Sequence, residues 1–199
     1  MKFDFVEIGT SDFDTNLDKR KKGQKILLVE PVKYYLDKLP NGEGIFKNNC
    51  AISDKSGNGE IYYVDDEIIK KYNMPNWMRG CNSFNKPHET VLRFFNELKT
   101  PVEFKIDNVA VLSFVDLINL YNITKIDKLK IDTEGHDHVV LKSVIDCMQK
   151  GLKIKEIKIE YDPFFGNTDE INTLVLTSGC SAVSLIGNNI IMKLKYEKR

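Results

Sequence analysis

The stretch Lys128-Leu129-Lys130-Ile131-Asp132-Thr133-Glu134-Gly135-His136-Asp137 passes from a short apolar-cored strand through a tight turn into a helix. Val139, Val140, Val144, Ile145 and Met148 recur at helical spacing on one face of that helix. Gly151 stops it, and the next apolar alternation, over 154–159, is a strand. Strand, helix and strand in succession are the repeating unit of a mostly parallel sheet covered by helices. Outward from this unit the pattern persists. Residues 3–8 and 25–29 read as strands, the second a continuous apolar run of the kind buried on both faces. Ser11 with Asp14 predicts a capped helix toward Arg20 that Gly23 ends, and 32–39 a short helix. A third strand is expected over 45–52, then a Gly-rich turn at Ser56-Gly57-Asn58-Gly59 and a partner strand over 60–64. Residues 102–111 alternate as a strand, and Ser113 with Asp116 predicts the next helix cap. Toward the C-terminus a helix over 167–176 precedes a hairpin around Gly187-Asn188-Asn189. Between 65 and 100 the period is lost and one helix, over 89–98, is expected inside an insertion.

Length and charge bound the function. A chain of 199 residues with 42% apolar and 29% charged side chains makes one domain with its own core. Its 29 basic and 29 acidic residues cancel, so no overall positive field attracts nucleic acid or an anionic bilayer. No stretch approaches the roughly 20 apolar residues that insert in a membrane. The N-terminus lacks the apolar core of a signal peptide, and a cytoplasmic location is expected. Cys50, Cys81, Cys147 and Cys180 form none of the close pairs of a zinc site and are expected as buried or half-buried thiols. The chain enters its first strand at once, which suits either a minimal domain or a piece of a longer polypeptide.

Three carboxylates stand at the C-terminal ends of expected strands: Glu7, Glu30 and Asp132. In an open parallel sheet that edge binds ligands. The separation of Glu7 and Glu30 approaches the spacing of about 20 residues at which a nucleotide-binding fold puts an acid on a ribose diol. Two helix-capping carboxylates share such a spacing by chance as well. A nicotinamide dehydrogenase would need a Gly-x-Gly-x-x-Gly turn for the pyrophosphate, and the chain has none.

Five motifs in order resemble the FkbM-type methyltransferases: Val6-Glu7-Ile8-Gly9, Val29-Glu30-Pro31, Ala51-Ile52-Ser53-Asp54, Leu112-Ser113-Phe114-Val115-Asp116-Leu117 and the signature 128–137. The resemblance implies a class I Rossmann-like α/β fold, with a mostly parallel seven-stranded sheet ending in an antiparallel hairpin. It also implies S-adenosylmethionine as cofactor and methyl transfer to a hydroxyl of a sugar or natural product. On that reading Gly9 lets the backbone approach the cofactor, Thr10 and Ser11 offer amides to its carboxylate, and Glu7 faces its ammonium. Glu30 takes both ribose hydroxyls, while Ala51, Ile52, Ser53 and Asp54 border the adenine. Asp132 completes the cofactor set. Ser11 and Phe13 stand where many such enzymes have glycines, which predicts a wider first turn and leaves a noncatalytic binding module as the alternative function.

The chemistry expected at this edge follows from residue type. A sulfonium methyl is already activated, so the acceptor needs alignment and loss of a proton. Asp132 and His136 are the candidate catalytic residues, His136 as a neutral base at the start of a helix whose dipole disfavours its charge. A plain surface position in the first turn is the other reading of His136. Asp132, Glu160 and Asp162 form a candidate magnesium site. Glu134 is read as a first-turn acid that favours the helix N-terminus. In the insertion, Trp77, Arg79, Ser83 and His88 combine an aromatic plate, a cation and polar groups suited to a sugar or glycoconjugate acceptor; the alternative is a loop pinned by a buried Trp.

Overall fold

The computed structural model of the chain describes residues 1–194. In order it contains β1 (Lys2–Ile8), β2 (Ile26–Val29), α1 (Lys33–Lys38), β3 (Ile45–Asn48), β4 (Ala51–Ser53), β5 (Gly57–Tyr63), α2 (Asp66–Lys71), β6 (Ser83–Phe84) and α3 (Glu89–Glu97). There follow β7 (Lys105–Ser113), α4 (Phe114–Leu120), β8 (Lys125–Ile131), α5 (Asp137–Gln149), β9 (Lys153–Glu160), α6 (Thr168–Thr177), β10 (Ala182–Ile186) and β11 (Asn189–Lys193). Seven strands form one sheet in the order β10-β11-β9-β8-β1-β2-β3. Its five strands from β9 to β3 are parallel, and the β10/β11 hairpin joins antiparallel to β9. This is the mostly parallel α/β architecture, with its terminal hairpin, expected from the sequence. The chain winds from β1 to β2 and β3 on one side, then returns to place β8 and β9 on the other. The reversal leaves a crevice at the C-terminal ends of β1 and β8, where open α/β sheets bind ligands.

The sheet is held by two cores. Val6, Ile8, Leu27, Val29, Leu129 and Ile131 share one with Phe114 and Leu117 of α4, Val140, Leu141 and Val144 of α5, and Ile171 of α6. On the other face Phe5, Ile26 and Leu28 meet Leu36 and Leu39 beside α1. The α4 cap is the one its sequence predicts: Ser113 Oγ accepts the Asp116 amide at 3.0 Å.

Four local expectations are corrected. The Ser11/Asp14 pair starts no helix; Ser11 has φ +47° and its amide donates to Glu30, so 10–16 is a loop and only a 3-10 turn, Leu17–Lys19, follows. The apolar run 45–52 is two strands in different sheets. β3 pairs with β2, whereas β4 pairs with β7 in a second sheet ordered β4-β7-β5-β6. Asn49 fixes the crossing by donating from Nδ2 to the carbonyls of Glu30 (2.9 Å) and Pro31 (2.8 Å). Gly57-Asn58-Gly59 is paired strand rather than turn, because β7 supplies partners from Val111 back to Val109. Finally, 65–100 holds two helices, a 3-10 turn (Asn76–Gly80) and β6. α2 is only six residues long, too short to show a period, and is set by Asp65 accepting the Ile68 amide at 2.9 Å.

Burial predicts where the fold is sensitive. Leu129→Ala, at 1% exposure on a central strand, should cost about 2–5 kcal/mol in urea denaturation, and Leu185→Ala, at 62% exposure on the edge strand, within about 0.5 kcal/mol. Equal costs would contradict this placement of the core.

Candidate functional site

At the crevice lies a cavity of roughly 590 Å³, within the range of about 300–1,000 Å³ usual for small-ligand sites. Its floor exists because β1 and β8 approach closely. Gly9 has φ +76°, and a Cβ there would stand 1.7 Å from the Asp132 carbonyl oxygen, so only glycine fits.

Glu30 ends β2 at this floor, 1% exposed. Its Oε2 accepts the amides of Thr10 (3.0 Å) and Ser11 (2.7 Å), and its Oε1 the amide of Val32 (2.9 Å). Burial pushes the carboxyl up to about 7 while the three amides pull it down, so both protonation states are accessible near neutrality. Glu7, fully buried one strand away, accepts from the amide and side chain of Asn16 and anchors the same loop. It is not part of the cavity wall.

The signature turn supplies the opposite wall. Asp137, 1% exposed, holds it by accepting the Thr133 amide on Oδ1 (3.0 Å) and the Gly135 amide on Oδ2 (3.1 Å). Within that turn Glu134 has φ +52°, a conformation uncommon for a non-glycine residue, and it carries the carboxylate inward. Asp132, Glu134 and Glu160 each bring one oxygen within 4.8 Å of the others. Burial and the neighbouring acids raise Glu160 to about 10 and hold Glu134 well above its ordinary range. One oxygen of Glu160 is buried without a hydrogen-bond partner. Lys130, 3% exposed, faces the group with Nζ 3.0 Å from Asp132 and 2.5 Å from Asp14. Burial opposes its charge, but these two acids outweigh it and keep the amine above its ordinary pKa.

His136 also lines the cavity, and its Nε2 lies 3.0 Å from Ser53 Oγ. Burial, then His138, lower its pKa, which keeps the imidazole neutral at pH 7. Ser53 in turn donates to Asp54 at 3.2 Å.

The structure thus brings Gly9, Thr10, Ser11, Glu30, Ala51, Ile52, Trp77, His88, Asp132, His136, Glu160 and Asp162 to one cavity. Glu7, Ser53, Asp54, Arg79 and Ser83 lie outside its wall. Arg79 pairs with Asp12 at 3.0 Å and covers the Phe13 ring, while Ser83 is buried in β6 opposite Tyr62. His88 has Glu134 as partner. Asp162 accepts from the Phe164 amide (2.9 Å) and Asn188 (3.1 Å); Glu134, which stands in the turn before α5 and not in its first turn, takes the place in the acidic group expected of Asp162. Lys130, Asp14, Asp137, Phe13, Phe84, Phe164 and Phe165 were not anticipated. Of these only Lys130, a cation between the buried Leu129 and Ile131, left a signal in the sequence. Among the described residues no helix is long and apolar enough to cross a membrane.

No curated protein matches the chain. Among solved structures it is similar to the crystal structure of a methyltransferase FkbM from Methylobacillus flagellatus KT, with a TM-score of 0.55 and 13% identity, a likeness of fold. The match covers 97% of this chain and 44% of that one, so the chain spans less than half the length of that relative. The methyltransferase FkbM domain matches residues 5–180, which include the end of the first strand, Glu30 and the whole signature turn; the chain belongs to the FkbM methyltransferase family.

Proposed function

We propose that the chain is an S-adenosylmethionine-dependent O-methyltransferase acting on a hydroxyl of a sugar or glycoconjugate. The observation that carries this reading is the buried Glu30 carboxylate at the end of β2, inside a cavity at the sheet's switch point. The cavity fits the cofactor by chemistry: an acceptor for a ribose diol at Glu30 and an apolar wall at Ala51 and Ile52 for a base. S-adenosylmethionine bound there would supply an activated methyl group. Glu30 would keep its amide bonds to Thr10, Ser11 and Val32, which leave a lone pair on Oε1 for a ribose hydroxyl. His136, neutral and half-buried on the same wall, would take the acceptor's proton.

At the mouth, Trp77 and Phe13 are 55% and 45% exposed. Ser11 Oγ donates to the Arg79 carbonyl at 3.1 Å, which ties the first loop to the turn carrying Trp77. The two rings would flank an acceptor whose sugar faces are apolar and whose edges are polar. This reading makes 65–100 the acceptor-binding insertion of a single domain. Asp132, Glu134 and Glu160 would hold a magnesium ion. Three carboxylates with one oxygen lacking any partner suit a hard divalent cation, which would counter their mutual repulsion and bind an acceptor oxygen.

Calorimetric titration with S-adenosylmethionine and S-adenosylhomocysteine tests the cofactor site. Binding should be lost in Glu30→Ala, and no heat from the folded wild type at millimolar ligand would favour a noncatalytic module. The ionised carboxylate is the stronger acceptor for a ribose hydroxyl, and ionisation rises through about pH 7. Affinity should therefore increase about tenfold from about pH 6 to about pH 8, and Glu30→Gln should abolish that slope. In turnover with sugar acceptors, His136→Ala should lower kcat by about 10²–10⁴-fold with cofactor affinity retained. Trp77→Ala should raise the acceptor KM; an unchanged KM would remove it from the acceptor site.

A further inference from the structure

His88 is buried at 4% exposure at the N-cap of α3, inside the segment that carries no motif of the first strand–turn or the signature. Its ring is enclosed by Phe164 and Phe165, the latter edge-on at 5.6 Å between centroids. Phe165 in turn sits against Gly135, where a Cβ would stand 3.0 Å from the ring. Both ring nitrogens are used. The Thr90 amide points at Nδ1, 3.1 Å away, and Nε2 lies 2.9 Å from Glu134 Oε2. A backbone amide can only donate, so Nδ1 holds a lone pair, and the neutral ring carries its proton on Nε2.

We infer that His88 is a positioning residue for Glu134: Thr90 fixes its tautomer, and Nε2–H donates to one carboxylate oxygen so that the other is presented to Asp132 and Glu160. The inference rests on the magnesium site proposed above. The contact spans 46 positions in sequence and joins the insertion to the signature turn. Glu134 needs such a partner for two reasons. Its backbone is in the left-handed region, and its neighbours in the acidic group repel it. A neutral donor orients the carboxylate and stabilises its ionised form without adding a charge that would compete with the cation. Hydrogen bonds to ligating carboxylates of this kind typically set metal affinity by 10–100-fold.

Two measurements test it. Long-range ¹H–¹⁵N spectra of the wild-type protein should show His88 protonated at Nε2 and bare at Nδ1; the opposite tautomer overturns the inference whatever the variants do. Calorimetric titration with magnesium chloride then compares wild type, His88→Ala and His88→Gln, each checked for folding by circular dichroism. His88→Ala should lose about 10–100-fold in magnesium affinity, His88→Gln should regain most of it through its amide donor, and S-adenosylmethionine affinity should stay unchanged in both. Wild-type magnesium affinity in a folded His88→Ala overturns the inference alone. Joint loss of cofactor and magnesium binding also overturns it, as the mark of a purely structural residue. Absence of magnesium binding in the wild type overturns the metal site and this inference with it, and leaves the cofactor reading standing.

Discussion

At the end of β1 the Gly9 backbone lies against the Asp132 carbonyl so closely that no side chain fits between them. Gly9 N donates to Val29 O at 2.9 Å on one side, while Asp132 N donates to Ile8 O at 3.0 Å on the other. β1 is thus bonded to β2 and β8 up to the point where the chain turns away from both. All else at the site depends on that separation. The loop after β1 must leave over β2, where Glu30 receives its amides, and the signature turn must leave over β8, where Asp137 receives its own. Two buried carboxylates, each capping the backbone of a turn, set the two walls of one cavity.

The cost of this construction is electrostatic. The buried ammonium of Lys130 pairs with Asp14 and Asp132, while Glu134 and Glu160 crowd against Asp132. Burial, then the charge of the neighbouring acids, lifts the carboxyls of Glu134 and Glu160 far above the ordinary range. The fold tolerates this because the group lies at the cavity wall, within reach of a ligand. Such arrangements are characteristic of functional sites rather than of cores.

The second sheet changes what the inserted segment can do. β5, β6 and β7 carry a separate apolar cluster with Val32 and Tyr35 beside α1, and α2 and α3 a further one. The segment therefore has a packed support of its own, which holds His88 against the signature turn and carries Trp77 at the cavity mouth.

The main sheet was legible because its signals are local. A buried parallel strand needs a continuous apolar run, as at Ile26–Val29, and a packed helix needs an apolar stripe, as in Asp137–Gln149; both patterns are written in consecutive residues. The carboxylates at strand ends were legible for the same reason, since a strand's C-terminus and its next residue are adjacent in the chain. The break at Asn49-Cys50 was not, because two strands of different sheets are equally apolar, and only the partners β2 and β7 distinguish them. Nor was the loop 10–16, since Ser11 and Asp14 satisfy a helix-capping pattern and only the buried acceptors of Glu7 and Glu30 draw the amides elsewhere. The sequence by itself determined the α/β class, the strand order's ligand edge and the acids placed there. Tertiary structure alone decided that Glu134 rather than Asp162 joins the acidic group and that His88 faces it, because hydrogen-bond partners many residues apart compete for the same atoms and only the folded chain brings them within reach.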